Sequence, residues 1–173
     1  MGFSESIEQG ISSAKVRLLV FALFLALLIV MPFLIHSQWI TGPTVNAVLF
    51  IATVILGPTR AMLLGLMPST IALSSGLLPF VLAPMVPFIM LSNVILVLLF
   101  YYLYKRNYFL ALGVSAFVKF AFLHQTVVWV MSRYLEQKFV TVLGVMMSWP
   151  QFFTAIIGGL VAYAFLKQIK KVK

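Results

Sequence analysis

The stretch VRLLVFALFLALLIVMPFLI, Val16 to Ile35, carries a single charge, Arg17, in 20 residues, and it is the first of several such runs. Backbone amides placed in hydrocarbon must be hydrogen-bonded within their own segment, so runs of this length and apolarity fold as membrane-spanning helices. Composition supports this. With 63% hydrophobic and 9% charged residues in 173, the chain has too little polar surface to cover a water-soluble globule. A secreted precursor would show one apolar stretch and then polar sequence, whereas further apolar runs follow Ile35. We expect an all-α integral membrane protein with no cleavable signal and no soluble domain. The absence of cysteine excludes disulfides, thiolate metal sites and cysteine nucleophiles together.

Six spans are expected at roughly 20 apolar residues each: Val16 to Ile35, Thr44 to Leu56, Ala61 to Leu78, Pro84 to Tyr104, Tyr108 to Met131 and Met146 to Leu166. The second, TVNAVLFIATVIL, is short, and it lengthens if the turn from Trp39 to Pro43 lies in the interface. GPT at Gly42 to Thr44 and again at Gly57 to Thr59, together with Pro79, Pro84 and Pro87, punctuates the series. The domain plan is therefore a leader at 1–15, a transmembrane domain at 16–166 and a basic tail at 167–173. Phe3, Ile7 and Ile11 give the leader the spacing of a short amphipathic helix on the inner surface.

Orientation follows from the cations, because Lys and Arg in short loops stay in the cytoplasm. With the N-terminus inside, Lys15, Arg17, Arg60, Lys105, Arg106, Lys167, Lys170, Lys171 and Lys173 are inner, and only Arg133 and Lys138 are outer. Both termini are expected in the cytoplasm. The net charge of +9 is then a matter of topology and of attraction to anionic inner-leaflet lipid, so nucleic acid is not an expected partner.

Lys119 does not fit this distribution. It lies 11 residues into the span that starts at Tyr108, roughly 16 Å deep at 1.5 Å per residue, near the bilayer middle and beyond easy snorkelling. The acids of the chain are Glu5, Glu8 and Glu136, none of them inside a span. The partner expected for Lys119 is therefore backbone carbonyl, water or a molecule from outside the chain. Helix positions seven apart nearly coincide, so Lys119, Thr126 and Arg133 form one stripe toward the outer mouth, with Phe122 and Trp129 beside it. Other outer-half polar groups are Trp39, Thr41, Asn46, Ser74, Ser75, Asn93, His124, Trp149 and Gln151. We expect an outward-facing pocket for an anionic, partly apolar small molecule, with Lys119, Trp129, Arg133, Thr126, His124, Asn93, Trp39, Asn46 and Gln151 as candidate contacts. No catalytic or metal site is expected. Small residues four apart, Ala22 and Ala26 in the first span and Ala155/Gly159 and Gly158/Ala162 in the sixth, mark close helix contacts, and for the first span a partner protein competes with internal packing.

Six short spans, both ends inside, the Ala-x-x-x-Ala of the first span, and the stretches QWITGPTVNAVLF and GLLPFVLAPMVPFIMLSN together resemble the substrate-binding S components of energy-coupling factor (ECF) transporters. The resemblance covers nearly the whole chain at the level of architecture. It implies high-affinity capture of a vitamin-like or cofactor-precursor micronutrient at an outer pocket, in the plasma membrane of a prokaryote. It also implies import driven by a transmembrane coupling subunit and two ATPases, with Ala22 and Ala26 facing the coupling subunit. ATP would be used by those partners, in keeping with a chain that has no P-loop and needs no cofactor of its own. There is no His-rich N-terminus of the nickel or cobalt type. Two other classes compete. One is a self-sufficient oligomeric small-solute transporter or channel, disfavoured by the lack of a repeat between the two halves. The other is an intramembrane enzyme using His36, His124 and Glu136, for which no nucleophile or metal spacing is present.

Overall fold

A computed structural model describes residues 14–129, 131–134, 136–169 and 172. The amphipathic leader expected through Phe3, Ile7 and Ile11 lies outside the described residues, as do Lys170, Lys171 and Lys173 of the tail. Among the described residues eight α-helices follow one another: α1 Ala14–Leu34, α2 Gln38–Ile55, α3 Pro58–Gly65, α4 Met67–Ser74, α5 Val86–Leu103, α6 Tyr108–Trp129, α7 Gln137–Met146 and α8 Trp149–Gln168. Short 3₁₀ turns at Phe80–Met85 and Met131–Arg133 precede α5 and follow α6. No strand occurs among the described residues.

Among the described residues five stretches are long and apolar enough to cross a membrane: Ala14–Leu34, Gln38–Ile55, Ala83–Leu103, Tyr108–Arg133 and Gln137–Gln168. The region of the third expected span, Ala61 to Leu78, is divided into α3 and α4, eight residues each. At 1.5 Å per residue each is about 12 Å long, too short to cross alone. Pro68, near the start of α4, has no N–H to donate back to Leu64, which fits the break beside it. The two GPT motifs behave differently. Gly57 takes φ +89° between α2 and α3, a backbone region that favours glycine, and Pro58 opens α3. At the first motif no turn forms, because Gly42 and Pro43 lie inside α2, which starts at Gln38. There glycine answers a packing need, since a Cβ on Gly42 would meet Thr154 Cγ2 of α8 at 3.0 Å.

The most extensive helix contact is between α2 and α8, followed by α5 with α6 and α6 with α8. Gly158 makes the first of these possible: a Cβ there would lie 2.5 Å from the Pro43 carbonyl oxygen and 2.8 Å from the Ala47 nitrogen. Ala155, Gly159 and Ala162 are buried as well, so the small residues of the last span serve internal packing. A large apolar core gathers Leu28, Leu49, Phe50, Leu96, Phe100 and Leu166, with Phe50 and Phe100 edge to face at 4.6 Å between ring centres. A smaller core around Leu78, Met85, Leu123, Leu143 and Met147 joins α6, α7 and the 3₁₀ turn before α5. The peripheral helix is α1, which rests on α4, α2 and α3 and leaves Leu19, Leu23, Ala22 and Ala26 exposed. Exposed Phe117, Leu160 and Val161 have the chemistry of a lipid-facing surface.

Candidate functional site

Lys119 is 3% exposed, and its long side chain ends among polar groups of two other helices. Its Nζ donates to Asn46 Oδ1 of α2 and to Asn93 Oδ1 of α5, both at 2.8 Å. Side-chain amides were not among the partners expected from sequence, and here they take the place of a backbone carbonyl. An ammonium requires acceptors, so both amides must turn their oxygens toward it. Asn93 spends its other end too, with Nδ2 donating to the Gly65 carbonyl at 2.8 Å. That carbonyl ends α3 and would otherwise lack a partner where the helix breaks. Close approach is again secured by a missing side chain, since a Cβ on Gly65 would meet Asn93 Cβ at 3.1 Å.

This triad forms part of the wall of a cavity of about 110 Å³. Its polar lining comprises Lys119, Asn46, Asn93, Ser69, Thr41, Gln38 and Gln151, drawn from α2, α4, α5, α6 and α8. The rest is largely apolar: Pro32 from α1, Val45, Pro68 and Ala72, the Leu77–Leu78 link, Ile89, and the Met146–Met147 end of α7. That end is held from two sides, because Gln38 Nε2 and Gln151 Nε2 both donate to the Met146 carbonyl, at 3.1 and 3.3 Å. One face of the cavity therefore depends on a ten-residue helix tied by two side-chain bonds.

Neutral amide oxygens solvate the ammonium but do not cancel its charge. The one ion pair among the described residues joins Glu136 to Lys138 at 2.8 Å, with both side chains exposed. Removing a charge from water still costs several kcal/mol when the effective dielectric is low, and charge-assisted hydrogen bonds offset about 1.5–3 kcal/mol each. A balancing anion would remove the remainder.

Among the sequence candidates, the cavity brings together Lys119, Asn46, Asn93 and Gln151. The others lie elsewhere. Thr126 is buried with its hydroxyl donating to the Phe122 carbonyl at 2.8 Å. Trp129 is 62% exposed and donates to Gln125 Oε1 at 3.0 Å. His124 is exposed and stacks on Phe120, which in turn stacks on Trp149. Trp39 is exposed on α2, and Arg133 is exposed on the 3₁₀ turn beyond the end of α6. Sequence reasoning missed Ser69, Gln38 and the Met146–Met147 corner. Ser69 and Gln38 could have been noticed as hydrogen-bonding groups beside Pro68 and at the start of α2, but neither has a periodicity that separates it from ordinary helix surface.

Among the described residues no three His, Asp or Glu side chains gather in a way that could hold a metal. His36 Nε2 lies 3.1 Å from the Ser75 carbonyl oxygen, a contact that ties α1 to the end of α4.

No curated protein and no solved structure matches the chain. The family described as ECF transporter, substrate-specific component, matches over residues 16–169, which covers every helix from α2 to α8 and nearly all of α1. That family supplies the substrate-binding component of a transporter and works with an energy-coupling module and ATPases, in keeping with a chain of several apolar helices. The chain belongs to the substrate-specific components of ECF transporters.

Proposed function

We propose that this S component captures a small anionic micronutrient, vitamin-like or a cofactor precursor, in the cavity at Lys119 and presents it for ATP-driven import. The observation that carries the reading is a buried ammonium beside a cavity, held by two neutral oxygens, in a region without a carboxylate among the described residues. A bound carboxylate or similar anion would supply the missing charge, and the apolar wall from Val45 to Ile89 would cover its body. Gln38 and Gln151 would release the Met146 carbonyl to admit it. In this reading both termini are cytoplasmic, the cavity opens outward, and the exposed Ala22 and Ala26 of α1 give the coupling subunit a close-approach surface.

Two variants test this in proteoliposomes holding the full complex. A ligand found by thermal-shift screening of the purified chain against anionic micronutrients should raise its melting temperature with the logarithm of its concentration once that exceeds Kd. Lys119→Met should abolish that shift and the uptake. An Ala22→Trp/Ala26→Trp double variant should keep the shift yet lose uptake and co-purification of the ATPases. Full binding by Lys119→Met would overturn the charge role. Full uptake by the double variant would overturn the docking role.

A further inference from the structure

Seven serines and threonines are buried among the described residues, and six of them bond to a carbonyl three or four residues earlier: Thr41, Thr53, Ser92, Ser115, Thr126 and Thr154. This back-bonding is how a hydroxyl is satisfied inside an apolar helix bundle. Ser69 is the exception. It is 3% exposed, and its Oγ has no hydrogen-bond partner. The carbonyl four residues earlier, on Gly65, accepts from Asn93 Nδ2 instead. Ser69 lines the same cavity as Lys119. A buried hydroxyl left unpaired is destabilising unless a cavity occupant satisfies it.

The rest of the lining limits what that occupant is. Lys119 commits two of its three N–H groups to Asn46 and Asn93, so one remains. Asn46 gives its oxygen to Lys119 and keeps its amide N–H₂ as a donor, whereas Asn93 has used both ends. Together with the Ser69 hydroxyl, the polar corner is rich in donors and holds one positive charge, with no arginine and no second lysine among the described lining residues. A dianion would leave one charge uncompensated in an apolar wall, and a neutral amide would leave the ammonium uncompensated.

We propose that Ser69 is a specificity-determining contact, donating its hydroxyl proton to a second acceptor on a monocarboxylate whose charged end lies at Lys119. This rests on the binding role given above to the cavity, and it adds the charge count of the ligand and the residue that reads its uncharged end.

The test uses the purified full chain in detergent and two matched probe series at millimolar concentration, read by thermal shift and isothermal titration. One is 3-acetylbenzoate with 3-ethylbenzoate, 3-acetylbenzamide and isophthalate. The other is 5-oxohexanoate with hexanoate, 5-oxohexanamide and adipate. In at least one series the keto acid should bind best. Ser69→Ala should weaken the keto acid roughly tenfold, the scale of one hydrogen bond, and leave the analogue without the keto group unchanged. The unliganded melting temperature should hold or rise, because the variant deletes an unsatisfied group. Preference for the dicarboxylates or amides, equal effects of Ser69→Ala on both acids, a lower unliganded melting temperature, or no binding in either series would each overturn the proposal. If Lys119→Met abolishes binding of the acids while Ser69→Ala changes nothing, only the role of Ser69 falls. If neither substitution matters, the cavity itself is not the binding site.

Discussion

At the scale of single residues, Asn93 and Asn46 look equivalent around Lys119 but differ in what they leave behind when removed. Asn93→Ala strips one acceptor from the ammonium and orphans the Gly65 carbonyl, whereas Asn46→Ala strips an acceptor only. Each buried polar group left unpaired costs about 1–3 kcal/mol. Thermal unfolding in detergent should therefore place Asn93→Ala below Asn46→Ala, and equal melting temperatures would mean that the Gly65 bond contributes nothing. Lys119 could be singled out from sequence because a cation at mid-span conflicts with hydrocarbon at any register. Its partners could not, since they lie 73 and 26 residues away and an asparagine in an apolar helix has many possible mates. Ser69 was hidden for the opposite reason: most helical hydroxyls satisfy themselves locally, so nothing in one sequence marks the buried one that does not.

Among the elements, the contact of α2 with α8 is the one most sensitive to added volume. Gly158→Leu would drive a side chain into the Pro43 carbonyl and the Ala47 nitrogen, and backbone cannot rotate away as a flexible side chain can. Overpacking of this kind typically costs about 1–3 kcal/mol and more where backbone is the obstacle. The variant should lose most of its folded, monodisperse fraction in size-exclusion chromatography. A matching change at Gly113, where a Cβ meets nothing within 4 Å, should not. The spacing of Gly158 and Ala162 was legible as a close-approach face, and five of the apolar runs were legible as helices. Gly42–Pro43 was misread as a turn, because the pair is the same whether it bends the chain or admits a neighbouring helix near its own start. The division of α3 from α4 and the separate helix α7 were also not legible, since the first depends on how α1, α2 and α5 pack around it and the second on α6 and α8.

For the whole molecule, the peripheral position of α1, which gives the cavity only Pro32, and the sharing of the rest of the lining among all the other helices except α3 separate two tasks. A surface used for docking can change without disturbing the pocket, and the reverse. The neutral coordination of Lys119 has an electrical consequence as well. An empty carrier that swings its central cation across a low-permittivity layer works against an image-charge barrier, on the order of 2.5–3.5 kcal/mol by insertion scales for a mid-membrane lysine. A carrier whose cation is quenched by a monoanion does not. Uptake of such a ligand should then be insensitive to a clamped diffusion potential, while the return of the vacant protein should respond to it. On the proposed reading, two amides in place of one carboxylate make the vacant centre the charged one, so the empty return and not the loaded step is where a membrane potential acts.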